Sequence, residues 1–282
     1  MIWLIASILF SSLIFAIFKI FNKYEVNNLE AIIVNYLVAS VLGFFLFGNT
    51  PSISQLNSSF GITALIIGFL FITLFNVMAK VTQQNGVSVA SVSNKMSVII
   101  PVIVAILLYQ DSYSYFKILG IILALLGIYL VTVKEKTTIK VSWVLPLILF
   151  AGSGLLDATL NFAEAKVVDS NQLGLFTPTA FAIAAIFGIV YLLYKKQIPS
   201  KKSLLFGLVL GIPNYFSIYI LLKALEGSGL ESSIVFPINN MGVVLVSTLI
   251  SLIWFGEKLS IKNYIGVAIS ILAISLIAFS NG

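Results

Sequence analysis

The feature that most restricts this chain is a succession of apolar runs, each about twenty residues long, separated by short polar breaks. They fall near 2–21, 29–48, 60–80, 87–109, 114–133, 142–165, 172–194, 203–223, 231–255 and 260–280. A run of that length crosses ~30 Å of hydrocarbon as a helix rising 1.5 Å per residue. The runs lack the alternation of a membrane strand, so helices are the expected spanning element. The breaks carry turn chemistry, among them "NKYEVNN", "KEKTTIK", "KKQIPSKK" and "EGSG". Only 9 % of residues are charged and 60 % are hydrophobic, with a mean hydropathy of +1.10. Too few charges exist to coat a water-facing surface, so most of the surface is expected to face lipid. The expectation is an all-α integral membrane protein of about ten transmembrane helices. The first run has no basic n-region or small-residue cleavage site and reads as a retained helix.

The sequence contains neither Cys nor His. Disulfides, thiolate nucleophiles, the usual zinc ligands and a side chain titrating near neutrality are thereby excluded. No metal and no cofactor is expected. All 16 basic residues are lysine, and no segment offers a basic surface suited to nucleic acid. With Ile, Asn and Phe abundant, this usage reads as an AT-rich bacterial coding sequence, and the expected location is the bacterial cytoplasmic (inner) membrane.

A repeat is visible at a spacing near 146. "YQDSYSYFKILGI" (109–121) overlies "FGEKLSIKNYIGV" (255–267), setting Asp111 on Glu257 and Gly120 on Gly266. "FAIFK" (15–19) overlies "FAEAK" (162–166), "FG" recurs at 60–61 and 206–207, and "KVTQQNG" overlies "KALEGSG" after a three-residue shift. The expected division is therefore 1–140 and 141–282, five helices each. Because five is odd, the halves must insert with opposite orientation, the inverted-repeat plan of many carriers. Lysine is concentrated in the loops after helices 1, 5, 7 and 9, which places both termini outside the cytoplasm by the positive-inside rule.

An ionisable group within a bilayer is a functional candidate by default. In the sixth helix Ser153, Asp157, Asn161 and Glu164 share one face. Asp157 should lie near mid-depth, either on a solute pathway or as a structural buried acid. The ninth helix carries Pro237, which frees a carbonyl one turn back, with Asn240 on the same stripe. Its repeat partner, the fourth helix, sets Asn94 on Asn240 and adds Lys95, whose long stem can also reach the interface. Tyr215 and Asn214 of the eighth helix, with Asn35 and Tyr36 of the second, supply further polar groups and aromatic walls. Candidate contacts for a substrate or coupling ion are thus Asp157, Asn94, Lys95, Asn240, Asn161 and Tyr215. Gly207 and Gly211 are read as permitting close helix approach.

On the five-plus-five repeat, "FAIFK", "FGEKLSIKNYIG" and its echo "YQDSYSYFKILG", the chain resembles the EamA-like branch of the drug/metabolite transporter superfamily. The resemblance covers essentially the whole chain. It implies ten helices around a central cavity, lined chiefly by the third, fourth, eighth and ninth, and the export or exchange of a small metabolite. That family usually keeps both termini in the cytoplasm, whereas the lysine bias here points outward. Glu257 matches the family's turn glutamate and, at a helix junction, is read as structural or gating, with Pro237 as a kink.

The reading is a carrier working by alternating access, with a small-molecule substrate, membrane lipid around it, and Asp157 as the carboxylate that could carry a coupling proton. A lipid-linked-sugar flippase is the alternative. A membrane-embedded enzyme fits less well, because no clustered acids with metal-ligand or acid/base geometry occur.

Overall fold

The computed structural model describes residues 2–47, 50–100, 103–104, 115–132, 143–168, 173–227 and 232–279. Their regular structure is helical: α1 (Ile2–Lys23), α2 (Asn28–Phe47), α3 (Ser59–Gln84), α4 (Val87–Lys95), α5 (Tyr115–Thr132), α6 (Val144–Lys166), α7 (Leu173–Tyr194), α8 (Lys201–Gly227), α9 (Ser232–Ile253) and α10 (Ile261–Phe279). A one-turn helix, Ile53–Leu56, precedes α3 behind a Ser52/Gln55 capping box. Each expected segment corresponds to one of α1–α10. Five described helices are long and apolar enough to cross a membrane, beginning at Ile2, Asn28, Ser59, Gly174 and Lys201. Shorter apolar helices run over Ile118–Val131, Val144–Leu160, Ile238–Ile253 and Ile261–Leu276.

The fourth segment departs from expectation. Instead of one uninterrupted helix from 87, α4 stops after nine residues and passes into a 3-10 turn at Met96–Val98. Four serines in eleven residues, Ser88, Ser91, Ser93 and Ser97, weaken the α-helix by offering local side-chain alternatives. Ser97 Oγ donates to Asn94 O, and Ser91 Oγ to Ser88 O. A 3-10 turn inside a helical segment is a common hinge.

Polar and apolar residues are distributed as a lipid-facing chain requires. Ile5, Leu9, Phe45, Phe69, Leu205 and Leu249 are exposed, whereas Ser7, Ser12, Asn35, Ser91, Ser247 and Asn263 are buried. Lipid cannot hydrogen-bond to the serines, so they return to the helix: Ser12 Oγ donates to Ile8 O, Thr82 Oγ1 to Met78 O and Ser270 Oγ to Gly266 O.

The chain forms two compact units. The first comprises Met1–Lys19, Val77–Gly154 and Phe216–Gly282; the second comprises Ile20–Asn76 and Leu155–Tyr215. Each unit therefore takes segments from both sequence halves.

In the first unit α5 packs along α10 and α4 along α9. The α5–α10 seam is built of small residues. A Cβ on Gly127 would collide with Ser270 Oγ, and one on Gly266 would lie 2.7 Å from Val131 N. Contacts that climb α5 descend α10, so the two run antiparallel. Asn263 Nδ2 closes the seam by donating to Leu130 O (3.0 Å) and Val131 O (2.9 Å). Elsewhere in this unit Ser7 Oγ of α1 donates to Ser217 O of α8, and Gln83 Nε2 of α3 to Phe18 O of α1.

In the second unit α2 packs along α7. Gly43 faces Pro178 and Gly188 faces Ile33, which again makes the pair antiparallel. Gly207 meets Ala31 and Val34, and Gly211 meets Asn35 and Val38, so α8 runs parallel to α2. The GxxxG pair does permit close approach. Phe60 stacks edge-on against Phe176 and Phe69 against Phe187, setting α3 parallel to α7. Tyr36 is buried among Phe71, Phe75 and Phe181, and its hydroxyl donates to Phe71 O at 2.9 Å.

Candidate functional site

Among the described residues of the first unit, a polar cluster forms where α9 turns into α10. The turn uses Gly256 at φ +58°, and Glu257 N returns to Ser251 O at 3.0 Å. This aims the Glu257 side chain at the start of α4. There the carboxylate accepts from Val87 N at 3.2 Å with both oxygens and from Ser251 Oγ. It also pairs with Lys19 Nζ at 2.7 Å, the side chains being 24 % (Lys19) and 14 % (Glu257) exposed. Val87 N is one of the orphan donors of a helix N-terminus, where a carboxylate is favoured by hydrogen bonding and by the helix dipole. Gly86 is required at this point. Its φ of +110° is foreign to L side chains, and a Cβ would lie 2.6 Å from Glu257 Oε2.

One carboxylate thus ties together α1, the start of α4, the end of α9 and the α9–α10 turn. Beside it lies a cavity of about 250 Å³, lined by Lys19, Asn85, Gly86, Glu257, Lys258 and Asn263 among others. Asn263 and Ser260 form a reciprocal N-cap on α10: Ser260 N donates to Asn263 Oδ1 (2.9 Å) and Asn263 N to Ser260 Oγ (3.3 Å).

The remaining expected residues divide between the units. In the first unit Asn94 Nδ2 donates to Ser153 Oγ at 2.9 Å, joining two polar stripes read from the sequence. Lys95 is half-buried at the C-terminal residue of α4, directly before the 3-10 turn. Asn240 is half-buried on α9, next to a buried Asn239 whose Oδ1 has no hydrogen-bond partner. In the second unit Asp157 is half-buried, and Tyr215 is buried with its ring against Gly43. Asn161 lies on α6 and Pro237 on α9; their side chains, like that of Glu164, fall outside the described residues, as does Asp111. Among the described residues no three His, Cys, Asp or Glu are grouped to hold a metal.

Lys19 and Asn263 were not singled out from the sequence as site residues. Lys19 is the lysine of "FAIFK", a cation at the end of an apolar run. That position was a usable signal for an ion pair, although not for the partner.

Long apolar helices with exposed oily residues, buried polar residues and a half-buried charge pair define a multi-pass α-helical membrane protein. The model of the EamA-like transporter family matches residues 1–133. Over that stretch the chain is similar to this family, which is part of the drug/metabolite transporter superfamily and made up of membrane transporters of small molecules. A relative from Haemophilus influenzae (strain ATCC 51907 / DSM 11121 / KW20 / Rd), described as an uncharacterized protein, is 28 % identical over 285 residues. The alignment spans 96 % of this chain and 95 % of that protein. A crystal structure of 11 % identity superposes with a TM-score of 0.56, covering 96 % of this chain and 97 % of its own, and shows a shared fold.

Proposed function

We propose that the protein is a secondary carrier that moves a small metabolite across the bacterial inner membrane by alternating access. The observation that carries this reading is the packing of equivalent helices. Segments 2 and 7 pair antiparallel in one unit, and segments 5 and 10 do so in the other. Antiparallel pairing of repeat partners is what two oppositely inserted five-helix repeats, 1–140 and 141–282, would produce. On this reading the helix pairs α2–α7 and α5–α10 are kept through the transport cycle. The Lys19–Glu257 pair, clamped to the start of α4, is a gate that must part for the hinge at Met96–Val98 to work. Asp157, Asn94, Lys95, Asn240, Asn161 and Tyr215 supply contacts to the solute or its coupling proton, and Asp157 is the proton carrier in a chain without histidine.

The test is counterflow in proteoliposomes loaded with a panel of labelled amino acids, sugars and nucleosides. Exchange of at least one solute, with dependence on a pH gradient lost in Asp157→Asn, supports the reading. A chemically altered product would replace it with an enzyme. A changed leaflet distribution of a lipid-linked sugar, without solute exchange, would replace it with a flippase. Equal transport and equal proton dependence in Asp157→Asn would remove Asp157 from the mechanism.

A further inference from the structure

One end of the second unit concentrates cations and rings. The α7–α8 connection, "YKKQIPSKK", places Lys195, Lys196, Lys201 and Lys202 within eight residues and has no acid. The α1–α2 corner adds Lys23 and Tyr24, and two contacts hold the corner to that connection. Glu30 Oε2 accepts from Ser200 N at 2.9 Å, and the Tyr24 ring lies 5.4 Å from that of Phe206. Glu30 is buried and engaged with Ser200, which leaves Glu25 as the exposed acid of the corner against five exposed lysines.

The lysines stand against exposed rings. Lys195 Nζ is 5.9 Å from the Tyr191 centroid and 5.8 Å from that of Tyr194, and Lys23 Nζ is 6.0 Å from that of Tyr24. Tyr194 is 80 % exposed and Ile198 89 %, so a ring and an aliphatic chain project beside the ammonium groups. The segment between α2 and α3, at the opposite end of α2, has no charged residue over 50–58. The unit is therefore polarised along its helices.

Lys196, like Glu25 at the facing corner, has a positive φ. It occupies the left-handed position of a Schellman turn at φ +53°, with Gln197 N bonded to Leu192 O (2.9 Å) and Lys196 N to Leu193 O (3.0 Å). Glycine is the unstrained choice there.

We propose that this corner binds the headgroups of anionic phospholipids. Its lysines would meet the phosphodiester, Tyr191 and Tyr194 the glycerol level, and Ile198 the upper acyl chain. The matching is one of charge and depth, since aromatic rings and long cationic stems both settle at the headgroup boundary. Each lysine beside a charged leaflet contributes roughly a fivefold factor in affinity. The proposal stands apart from the transport reading, because lipid binding is measured without any solute.

The experiment titrates the purified full-length protein in phosphatidylcholine nanodiscs with phosphatidylglycerol and follows the melting temperature. A rise of several degrees is expected with phosphatidylglycerol and none with further phosphatidylcholine, and the rise should shrink at high salt. Replacing Lys195, Lys196, Lys201 and Lys202 by Gln should weaken the lipid response at least tenfold, and by more than Lys258→Gln/Lys262→Gln does. Lys196→Gly, which relieves the left-handed strain, should melt no lower in phosphatidylcholine yet respond less to phosphatidylglycerol, and it serves if the fourfold variant does not fold. An undiminished response in these lysine variants would overturn the proposal. An equal rise with inorganic phosphate alone would also overturn it, by identifying a site for free anions.

Discussion

Replacing Glu257 by Gln is the sharpest probe of how the first unit is held. The amide keeps the shape and one acceptor oxygen, so Val87 N and Ser251 Oγ retain a neutral partner. What is lost is the charge opposite Lys19, 2.7 Å away. At an effective dielectric of about 20, two unit charges at that distance attract by ~6 kcal/mol, much of it offset by desolvation of two largely buried groups. Stranding one partner of a fully buried pair costs about 3–5 kcal/mol. Lys19 is 24 % exposed and can recover part of that from water, so the expected loss is roughly 2 kcal/mol. With an unfolding entropy of about 2.1 cal/mol/K for each of 282 residues, or ~0.6 kcal/mol/K in all, the melting temperature should fall by about 3 °C. Lys19→Met should cost somewhat less, because Glu257 keeps its Val87 and Ser251 donors. Thermal unfolding of both single variants and the double variant closes a cycle with an expected coupling of roughly 1.5–2 kcal/mol. Strictly additive losses would refute the claim that this pair clamps α1 to the α9–α10 turn.

Three further substitutions test other parts of the packing. Gly266→Leu should cost at least about 1–3 kcal/mol, because the new side chain meets Val131 N and its neighbours rather than a movable side-chain tip; a melting temperature equal to wild type would mean that α5 and α10 are not in close contact. Asn263→Leu removes the donors to Leu130 O and Val131 O together with the cap on Ser260 N, and should lower stability by roughly 2–3 kcal/mol in the same assay. Asn35→Leu should act in the opposite direction. Both polar atoms of Asn35 are buried with no hydrogen-bond partner, so a nearly isosteric apolar side chain should raise stability by about 1 kcal/mol, and a fall on thermal unfolding would show that the amide is hydrogen-bonded.

The helices were legible because a twenty-residue apolar run has few other uses, and the polar breaks fell within a few residues of the observed ends. The α5–α10 seam was partly legible too. Superposing Gly120 on Gly266 at the repeat spacing also superposes Ala124 on Ser270 and Gly127 on Ala273, and all six are buried. The break after α4 was not legible. The segment is most polar at Ser93, Asn94 and Lys95, just before the break, but the switch to a 3-10 turn depends on local serine and backbone competition that a window average removes. Each compact unit takes segments from both sequence halves, because helices pair by packing and not by their nearness along the chain.

The candidate site shows the same division from the side of chemistry. Asn94 and Ser153 were each marked by a polar stripe, and they do meet. Glu257 was marked by its turn, yet its partners lie on α1 and at the start of α4, far along the chain. In a soluble helix the apolar stripe reveals which face turns inward. In lipid both faces are apolar, so the rotation of each helix is set by small-residue seams and by the few charges that cannot remain unpaired. An acid at a helix junction therefore has to find both a cation and free N–H groups within reach. Glu257 does so because Gly86, with its left-handed backbone and missing Cβ, lets the start of α4 close around the carboxylate. The gate reading follows from this economy. One group satisfies the demands of four segments, so any motion that separates two of them must leave a charge, a helix end or both without a partner.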